Sequence, residues 1–134
     1  MFVDACAMIA VLSGEAEGER VSEVLSEATS PTTSPLAVIE AAIALARPDK
    51  FGVPLELTGR IVLEFVEERA IVIADLPPAR ELTPLLLDAA SRYRTGRTKL
   101  NLADCVHYAC AKHGGMPILA THDEFRQTDL PTVP

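Results

Sequence analysis

The stretch MFVDACAMIAVL, residues 1–12, opens with a short apolar run, reaches Asp4 and then continues as a second apolar segment. An apolar run of this length is typical of a parallel strand covered on both faces, and the segment after it, residues 5–12, predicts a helix. A buried carboxylate is tolerated only when it is paired, protonated or bound to a cation. Asp4 therefore needs a partner elsewhere in the chain.

Two further apolar runs, residues 70–75 and 117–121, predict strands of the same type. Helical spacing predicts helices at 17–28, 55–68 and 79–93, and a helix from about 102 that ends at Gly114 and Gly115. After a turn-rich break at 29–34, Ser34 as N-cap and Pro35 as first residue begin another helix. The alternation predicts one α/β domain over 1–134 with a mainly parallel sheet flanked by helices.

Composition limits the class of protein. Hydrophobic residues make up 49% of the 134 residues, which excludes a disordered chain, yet no apolar stretch reaches the roughly 20 residues that a membrane-spanning helix needs. The N-terminus lacks the basic segment of a secretory signal, and the three cysteines show no C-x-x-C spacing. We expect a cytoplasmic protein that does not associate with membranes.

Three more acidic side chains lie in segments that otherwise predict burial. Glu40 lies inside the apolar segment 35–46, Asp104 inside 102–111, and Asp123 follows the apolar run 118–120. No set of bases lies at matching places, and ligands of open parallel sheets bind beyond the carboxyl ends of the strands. The sequence therefore predicts a cation pocket formed by Asp4, Glu40, Asp104 and Asp123, although each acid alone is also explained as a helix cap or a partly exposed charge.

The net charge of −7 argues against nonspecific binding of nucleic acid by the bare surface. Arg94, Arg97 and Lys99 nevertheless cluster just before Asp104 and are candidates for phosphate contacts, with a solvated turn as the alternative. Aromatic residues make up only 4% of the chain, so extensive base stacking is not expected.

At these positions the sequence resembles the PIN-domain ribonucleases, and within them the VapC-type toxins of bacterial toxin–antitoxin pairs. The resemblance covers nearly the whole chain through four motifs: FVDA at 2–5, Thr33-Ser34 leading to Glu40, LNLADC at 100–105 with Tyr108-Ala109 after it, and THDEF at 121–125 with QTD at 127–129. Two positions depart from the family pattern. Cys6 stands where the family usually has a hydroxyl residue, and Ala103 where it often has glycine.

This resemblance implies a three-layer α/β sandwich and an endoribonuclease that cleaves RNA. It implies that Asp4, Glu40, Asp104 and Asp123 bind Mg²⁺ or Mn²⁺, with Glu124 as the alternative to Asp123 for the fourth acid. It also implies a cognate antitoxin protein that masks the pocket, and a homodimer. Which RNA and which bond are cleaved, the number of ions and the partner surfaces do not follow from the sequence.

The residues alone are compatible with that chemistry, because Mg²⁺ and Mn²⁺ favour carboxylate oxygens and activate water for attack on phosphorus. Two other function classes stay open. One is an aspartyl phosphotransferase with Asp4 as nucleophile, although Cys6 stands where a second aspartate is expected. The other is a noncatalytic interaction domain. A zinc site is not predicted, because Cys105 and His107 fall on different helix faces; we expect buried cysteines and a solvent-exposed His122.

Overall fold

The structure is a computed structural model that describes residues 1–96 and 99–134. Its strands are short: β1 Phe2–Val3, β2 Thr32–Thr33, β3 Val72–Ile73, β4 Ile118–Leu119 and β5 Thr132–Val133. Its helices are α1 Ala5–Ser13, α2 Gly18–Glu27, α3 Pro35–Ala46, α4 Leu55–Glu68, α5 Ala79–Tyr93 and α6 Leu102–His113. A single 3₁₀ turn at Phe125–Gln127 precedes β5.

The five strands form one parallel sheet in the order β3-β2-β1-β4-β5. The helices flank this sheet: α1 packs on α2 and α3, α3 on α4, and α5 on α6. The predicted α/β sandwich with a mainly parallel sheet is confirmed. Because β1 is the central strand, Asp4 emerges in the middle of the sheet's carboxyl edge.

Two strands were missing from the sequence prediction, and one predicted environment was wrong. β2 lies within residues 29–34, where a break was predicted, and β5 was not predicted at all. Both are two residues long and contain threonine, so hydrophobic periodicity cannot detect them. β3 was expected to be covered on both faces, but it is an edge strand whose Val72 and Ile73 are 58% and 40% exposed.

Polar side chains fix where three helices begin. Asp4 caps α1 by accepting a hydrogen bond from the Cys6 amide, and Ser34 caps α3 by accepting one from the Ala37 amide. At α6 a reciprocal capping box joins Asn101 and Asp104. The caps place Asp4 and Asp104 at the first turns of their helices, where their carboxylates also meet the positive end of the helix dipole.

The core lies between the sheet and the helices. Its largest fully buried side chains include Phe2, Met8, Leu119, Tyr108 and Phe125. The free cysteines Cys6, Cys105 and Cys110 are buried, as the sequence predicts. Within the described ranges, the helices are all too short or too polar to span a bilayer.

Candidate active site

Asp4 is the most buried acid of the predicted pocket, with 3% of its surface exposed. Its Oδ2 accepts the Cys6 amide hydrogen bond at 2.9 Å, and its Oδ1 lies 2.6 Å from Nδ1 of His107. Burial alone raises the pKa of Asp4, but the hydrogen bond and charge of His107 outweigh burial and hold that pKa below its usual value. Asp4 is therefore an ionised carboxylate with both oxygens engaged.

His107 was not among the predicted site residues, yet it occupies the centre of the site. It is fully buried on α6, with Nδ1 against Asp4 and Nε2 3.6 Å from Oε2 of Glu40. Its ring also packs against Phe2 at a centroid distance of 5.7 Å. The sequence contained a signal for this position, since Asp104 and His107 are three residues apart and share one face of α6.

Glu40 enters from the interior of α3, and its side chain is one-third exposed. Its Oε2 atom is buried and finds no hydrogen-bond partner among the described residues. Burial raises the pKa of Glu40, and the charges of Asp4 and Asp104 raise it further, against the opposing effect of His107. Three predicted acids thus interact at one place.

Asp104 is the third of these acids. Its Oδ2 accepts the Asn101 amide at 2.6 Å, while its own amide donates to Oδ1 of Asn101 at 2.9 Å. Burial raises the pKa of Asp104, the Asn101 hydrogen bond opposes this, and the charges of Asp4 and Glu124 add to the increase. The net effect is a raised pKa, as expected for carboxylates crowded together without a cation.

Asp123 and Glu124 differ in their surroundings. The Asp123 side chain is 77% exposed and pairs with Nε of Arg126 at 3.3 Å. Glu124 is about one-third exposed, and its charge acts on Asp104. Glu124 thus interacts electrostatically with one of the other acids, while the assignment of Asp123 as the fourth ligand stays a prediction.

The predicted phosphate contacts belong to the segment of sequence between α5 and α6. Arg94 and Lys99 are exposed, and Arg97 lies outside the described residues. Burial raises the pKa of Cys105, and the charge of Arg94 opposes that increase, which places Arg94 near the first turn of α6. Their role in binding phosphate stays a prediction.

A second group of cations, which sequence reasoning missed, lines a cavity of about 240 Å³ beside Asp4. Its lining residues are Cys6, Ile9, Glu15, Ala44, Arg47, Lys50 and His122. Lys50 pairs with Glu15 and Arg47 with Asp49. Ala44 lies one helical turn after Glu40 on α3, and Arg47 caps the end of that helix. His122 is largely exposed, as predicted.

Asp129 and Cys6 have supporting structural roles. Asp129, part of the last motif, accepts hydrogen bonds from Tyr108 Oη at 2.9 Å and Lys112 Nζ at 2.7 Å, which tie the C-terminal segment to α6. Cys6 accepts a hydrogen bond from the Thr121 amide on its sulfur at 3.2 Å. The thiol at position 6 thus links the start of α1 to the segment that follows β4.

The donor atoms fit a hard divalent cation that keeps part of its water shell. Within residues 1–96 and 99–134, no three Asp, Glu, His or Cys side chains converge as a complete ligand set. Three buried side-chain atoms nevertheless find no hydrogen-bond partner among these residues: Thr121 Oγ1, and Glu40 Oε2 and His107 Nε2, which face each other. Mg²⁺ and Mn²⁺ need only a few protein oxygens, because water and substrate phosphates complete their coordination.

The chain is similar to known proteins over nearly its whole length. The family model for the PIN domain matches residues 1–129. Ribonuclease VapC of Mycolicibacterium smegmatis is 32% identical over 135 residues, covering 99% of each chain. Ribonuclease VapC30 of Mycobacterium tuberculosis is 32% identical over 136 residues, covering 99% of this chain and 98% of the relative.

Solved structures with the same fold are more distant in sequence. Mycobacterium tuberculosis VapC20, described as a toxin that cleaves the sarcin–ricin loop, superposes with a TM-score of 0.73 at 13% identity over 96% of this chain and 95% of its own. A toxin–antitoxin complex from Klebsiella pneumoniae gives a TM-score of 0.69 at 13% identity over 99% and 95%. These two likenesses establish the fold alone.

Proposed function

The chain belongs to the PIN domain family, and from this premise we propose that it is a metal-dependent endoribonuclease acting as the toxin of a toxin–antitoxin pair. Relatives that match it over nearly their full length are named ribonuclease VapC. The observation that carries the proposal is the meeting of Asp4, Glu40 and Asp104 at the carboxyl edge of the central strand, where burial and mutual repulsion raise the pKa of two of them.

In this proposal Asp4, Glu40 and Asp104 hold Mg²⁺ or Mn²⁺, with Asp123 or Glu124 as the fourth acid. When bound, such an ion supplies an activated water and offsets charge on the leaving oxygen of an RNA phosphodiester. The protein's contribution is orientation. The Cys6 amide and His107 fix the Asp4 carboxylate, and the Asn101 capping box fixes Asp104.

RNA phosphates bind on both sides of these acids in this proposal. Arg94, Arg97 and Lys99 serve the side at the start of α6, as the sequence predicts. Arg47 and Lys50 serve the side formed by the cavity along α3, which adjoins Asp4 through Cys6. Each of these two cations already has an acidic partner, so a phosphate has to compete with Glu15 or Asp49 for them.

The partners in this proposal are a cognate antitoxin and a second copy of the chain, in the cytoplasm. A toxin–antitoxin complex of the same fold supports the first partner. Exposed apolar side chains on α3 and α4, among them Ile39, Ile43 and Leu63, offer contact surface for a protein.

The two alternative function classes have less support. A phosphotransferase lacks its expected second aspartate, because Cys6 stands two residues after Asp4. A noncatalytic domain has no need for three interacting buried or half-buried acids, whose desolvation lowers stability unless a cation compensates.

The decisive experiment measures cleavage of a defined RNA by the purified chain with Mg²⁺, with Mn²⁺ and with chelator. Asp104→Asn keeps the shape and a capping oxygen but removes the charge, so we expect at least a hundredfold loss of cleavage with an unchanged circular dichroism spectrum. Asp75→Asn, at an exposed strand end, is the matched control and should cleave normally. Cleavage that survives chelator, or that survives Asp104→Asn, would disprove the metal mechanism.

The same assay distinguishes the fourth acid. If Glu124 completes the site, Glu124→Gln should lose far more activity than Asp123→Asn, since Asp123 is mostly exposed and paired with Arg126. The reverse order would restore the sequence-based assignment.

A further inference from the structure

His107 and Glu40 face each other in the protein interior, and a cation site made of carboxylates alone does not explain this arrangement. Nε2 of His107 and Oε2 of Glu40 are 3.6 Å apart, which is too long for a hydrogen bond. Both atoms are buried, and neither has a hydrogen-bond partner among the described residues. Two buried polar atoms left in this state are costly, so a missing group between them is the simplest physical explanation.

The other side of the ring explains which atom is free to bind. Nδ1 of His107 lies 2.6 Å from Asp4 Oδ1, so the hydrogen on this nitrogen is donated to the carboxylate. A cation that binds at Nε2 takes the place of the proton carried there by the charged ring, and the lone pair of Nε2 is then directed toward this cation and Glu40. A histidine that binds a metal through one nitrogen usually donates its other ring N–H to a carboxylate in this way.

The spacing requires only a small adjustment for a shared ion. Neighbouring ligand atoms that are each about 2.1 Å from one octahedral ion lie about 3.0 Å apart. The observed separation of 3.6 Å is wider than this by about 0.6 Å, so the two side chains would move slightly closer when an ion binds. Each carboxylate oxygen has more than one lone pair, so Asp4 keeps acceptor capacity while it orients the ring.

We propose that Nε2 of His107 is a direct ligand of the divalent cation together with Oε2 of Glu40, and that this nitrogen makes the site select Mn²⁺ over Mg²⁺. The proposal rests on the proposed function for the presence of a cation, and it adds a donor and a metal preference to it. Mg²⁺ strongly prefers oxygen ligands and gives up water reluctantly, whereas imidazole is a good ligand for first-row transition metals.

The alternative hypothesis is that a protonated His107 acts as an internal cation between the two carboxylates and excludes metal. The two hypotheses predict opposite effects on metal affinity when Nε2 of His107 is removed. His107→Asn keeps a side-chain N–H near the Nδ1 position, where it can donate to Asp4, but has no atom equivalent to Nε2. His113→Asn, at an exposed position of the same helix, is the matched control.

The test is a Mn²⁺ titration of the purified chain followed by electron paramagnetic resonance, with Mg²⁺ affinity measured by competition. We expect His107→Asn to weaken Mn²⁺ binding about tenfold or more and Mg²⁺ binding about threefold or less, while His113→Asn changes neither. Equal or tighter Mn²⁺ binding by His107→Asn would overturn the proposal in favour of the internal cation.

Pulsed resonance keeps the proposal falsifiable if His107→Asn does not fold. The sequence has three histidines, so ¹⁵N-histidine labelling of the otherwise unlabelled protein shows whether one of them coordinates Mn²⁺. The nitrogen coupling should persist in His113→Asn and His122→Asn, which leaves His107 as its source. A spectrum without histidine coupling, or a coupling that disappears in His122→Asn, contradicts the assignment.

The histidine ligand and the ribonuclease activity can be confirmed or rejected independently of each other. Histidine coupling to Mn²⁺ in a protein that cleaves no RNA would retain the ligand and reject the ribonuclease. RNA cleavage dependent on metal but without this coupling would retain the ribonuclease and reject the ligand.

Discussion

Asp4 shows how one residue is given several tasks by its surroundings. It follows the central strand, caps α1 and holds the His107 ring, and each of these contacts uses a carboxylate oxygen. Burial of an unpaired carboxylate is strongly destabilising, so these hydrogen bonds are what allows the acid to be present in the core. The same contacts fix the direction in which its remaining lone pairs point, and this orientation is useful for binding a cation.

Asp129 provides a test of a residue whose role is structural. Asp129→Ala removes the acceptor of the buried Tyr108 hydroxyl and the partner of Lys112. The carboxylate is 39% exposed, so its ion pair contributes little and the lost Tyr108 hydrogen bond dominates. We expect the free energy of unfolding at pH 7 to fall by about 1 kcal/mol in urea denaturation.

The pH dependence of this effect has a defined sign. The hydrogen bond from Lys112, with a smaller contribution from Tyr108, holds the pKa of Asp129 below its usual value. The stabilisation is therefore fully present above the unfolded pKa near pH 4 and is lost as pH falls through the lower folded pKa. The stability difference between the wild type and Asp129→Ala should shrink in that acidic range. A difference that grows on acidification would contradict the assignment.

At the same scale, the sequence predicted the acids but not the base among them. Asp4, Glu40 and Asp104 were detectable because a charge inside an apolar segment is unusual. His107 was not selected, although it shares a helix face with Asp104, because a histidine within an apolar helix is compatible with many roles and its partners are more than 60 residues away in the sequence. Asp123 looked equivalent to the others by position after a strand, yet its side chain turns toward Arg126 and solvent.

At the scale of elements, the contact between α1 and α2 depends on the absence of a side chain. A Cβ atom on Gly18 would lie 2.6 Å from the Ala10 carbonyl oxygen, a backbone atom that cannot move aside easily. Gly18→Ala should therefore separate the two helices and lower the free energy of unfolding by about 2 kcal/mol. Chemical denaturation measures the change.

Gly59 in α4 is the matched control, because a Cβ atom there meets nothing within 4 Å. Gly59→Ala should raise stability by roughly 0.5 to 1 kcal/mol, since alanine favours the helix more than glycine does. If both substitutions change stability by the same amount and sign, packing at Gly18 is not the cause.

The helices and the strands β1, β3 and β4 were predictable from the sequence, whereas β2 and β5 were not, for a physical reason. The N-caps Ser34 and Asn101 and the terminal glycines act locally, so the sequence contains them. A two-residue strand has no periodicity of its own, and its pairing depends on distant segments. β2 is an example: the Thr32 amide bonds to Met1 and the Thr33 hydroxyl to Val3, about 30 residues away.

At the scale of the whole molecule, an acidic protein with a net charge of −7 must bind a polyanion through local positive regions. The acids near Asp4 repel RNA until a cation neutralises them. Arg47 and Lys50 beside the acids, and Arg94 and Lys99 at the start of α6, are placed to offset this repulsion. Binding should therefore depend strongly on both salt and divalent cation.

Substitutions of Lys50 and of its partner Glu15 test this electrostatic model, because they should change the affinity for RNA in opposite directions. The pKa of Glu15 is held below its usual value, chiefly by the hydrogen bond from Lys50, so Glu15 is ionised at neutral pH. In an Asp104→Asn background that leaves RNA intact, Lys50→Gln should weaken RNA binding and reduce the slope of log affinity against log salt by about 0.7. Glu15→Gln removes the acid that competes with phosphate for Lys50 and should tighten RNA binding.

Arg60 is an exposed cation on α4 outside this cavity and serves as the control. Arg60→Gln should leave the slope of log affinity against log salt unchanged. Equal loss of affinity in Lys50→Gln and Arg60→Gln would show that general charge, rather than the cavity beside Asp4, attracts the RNA.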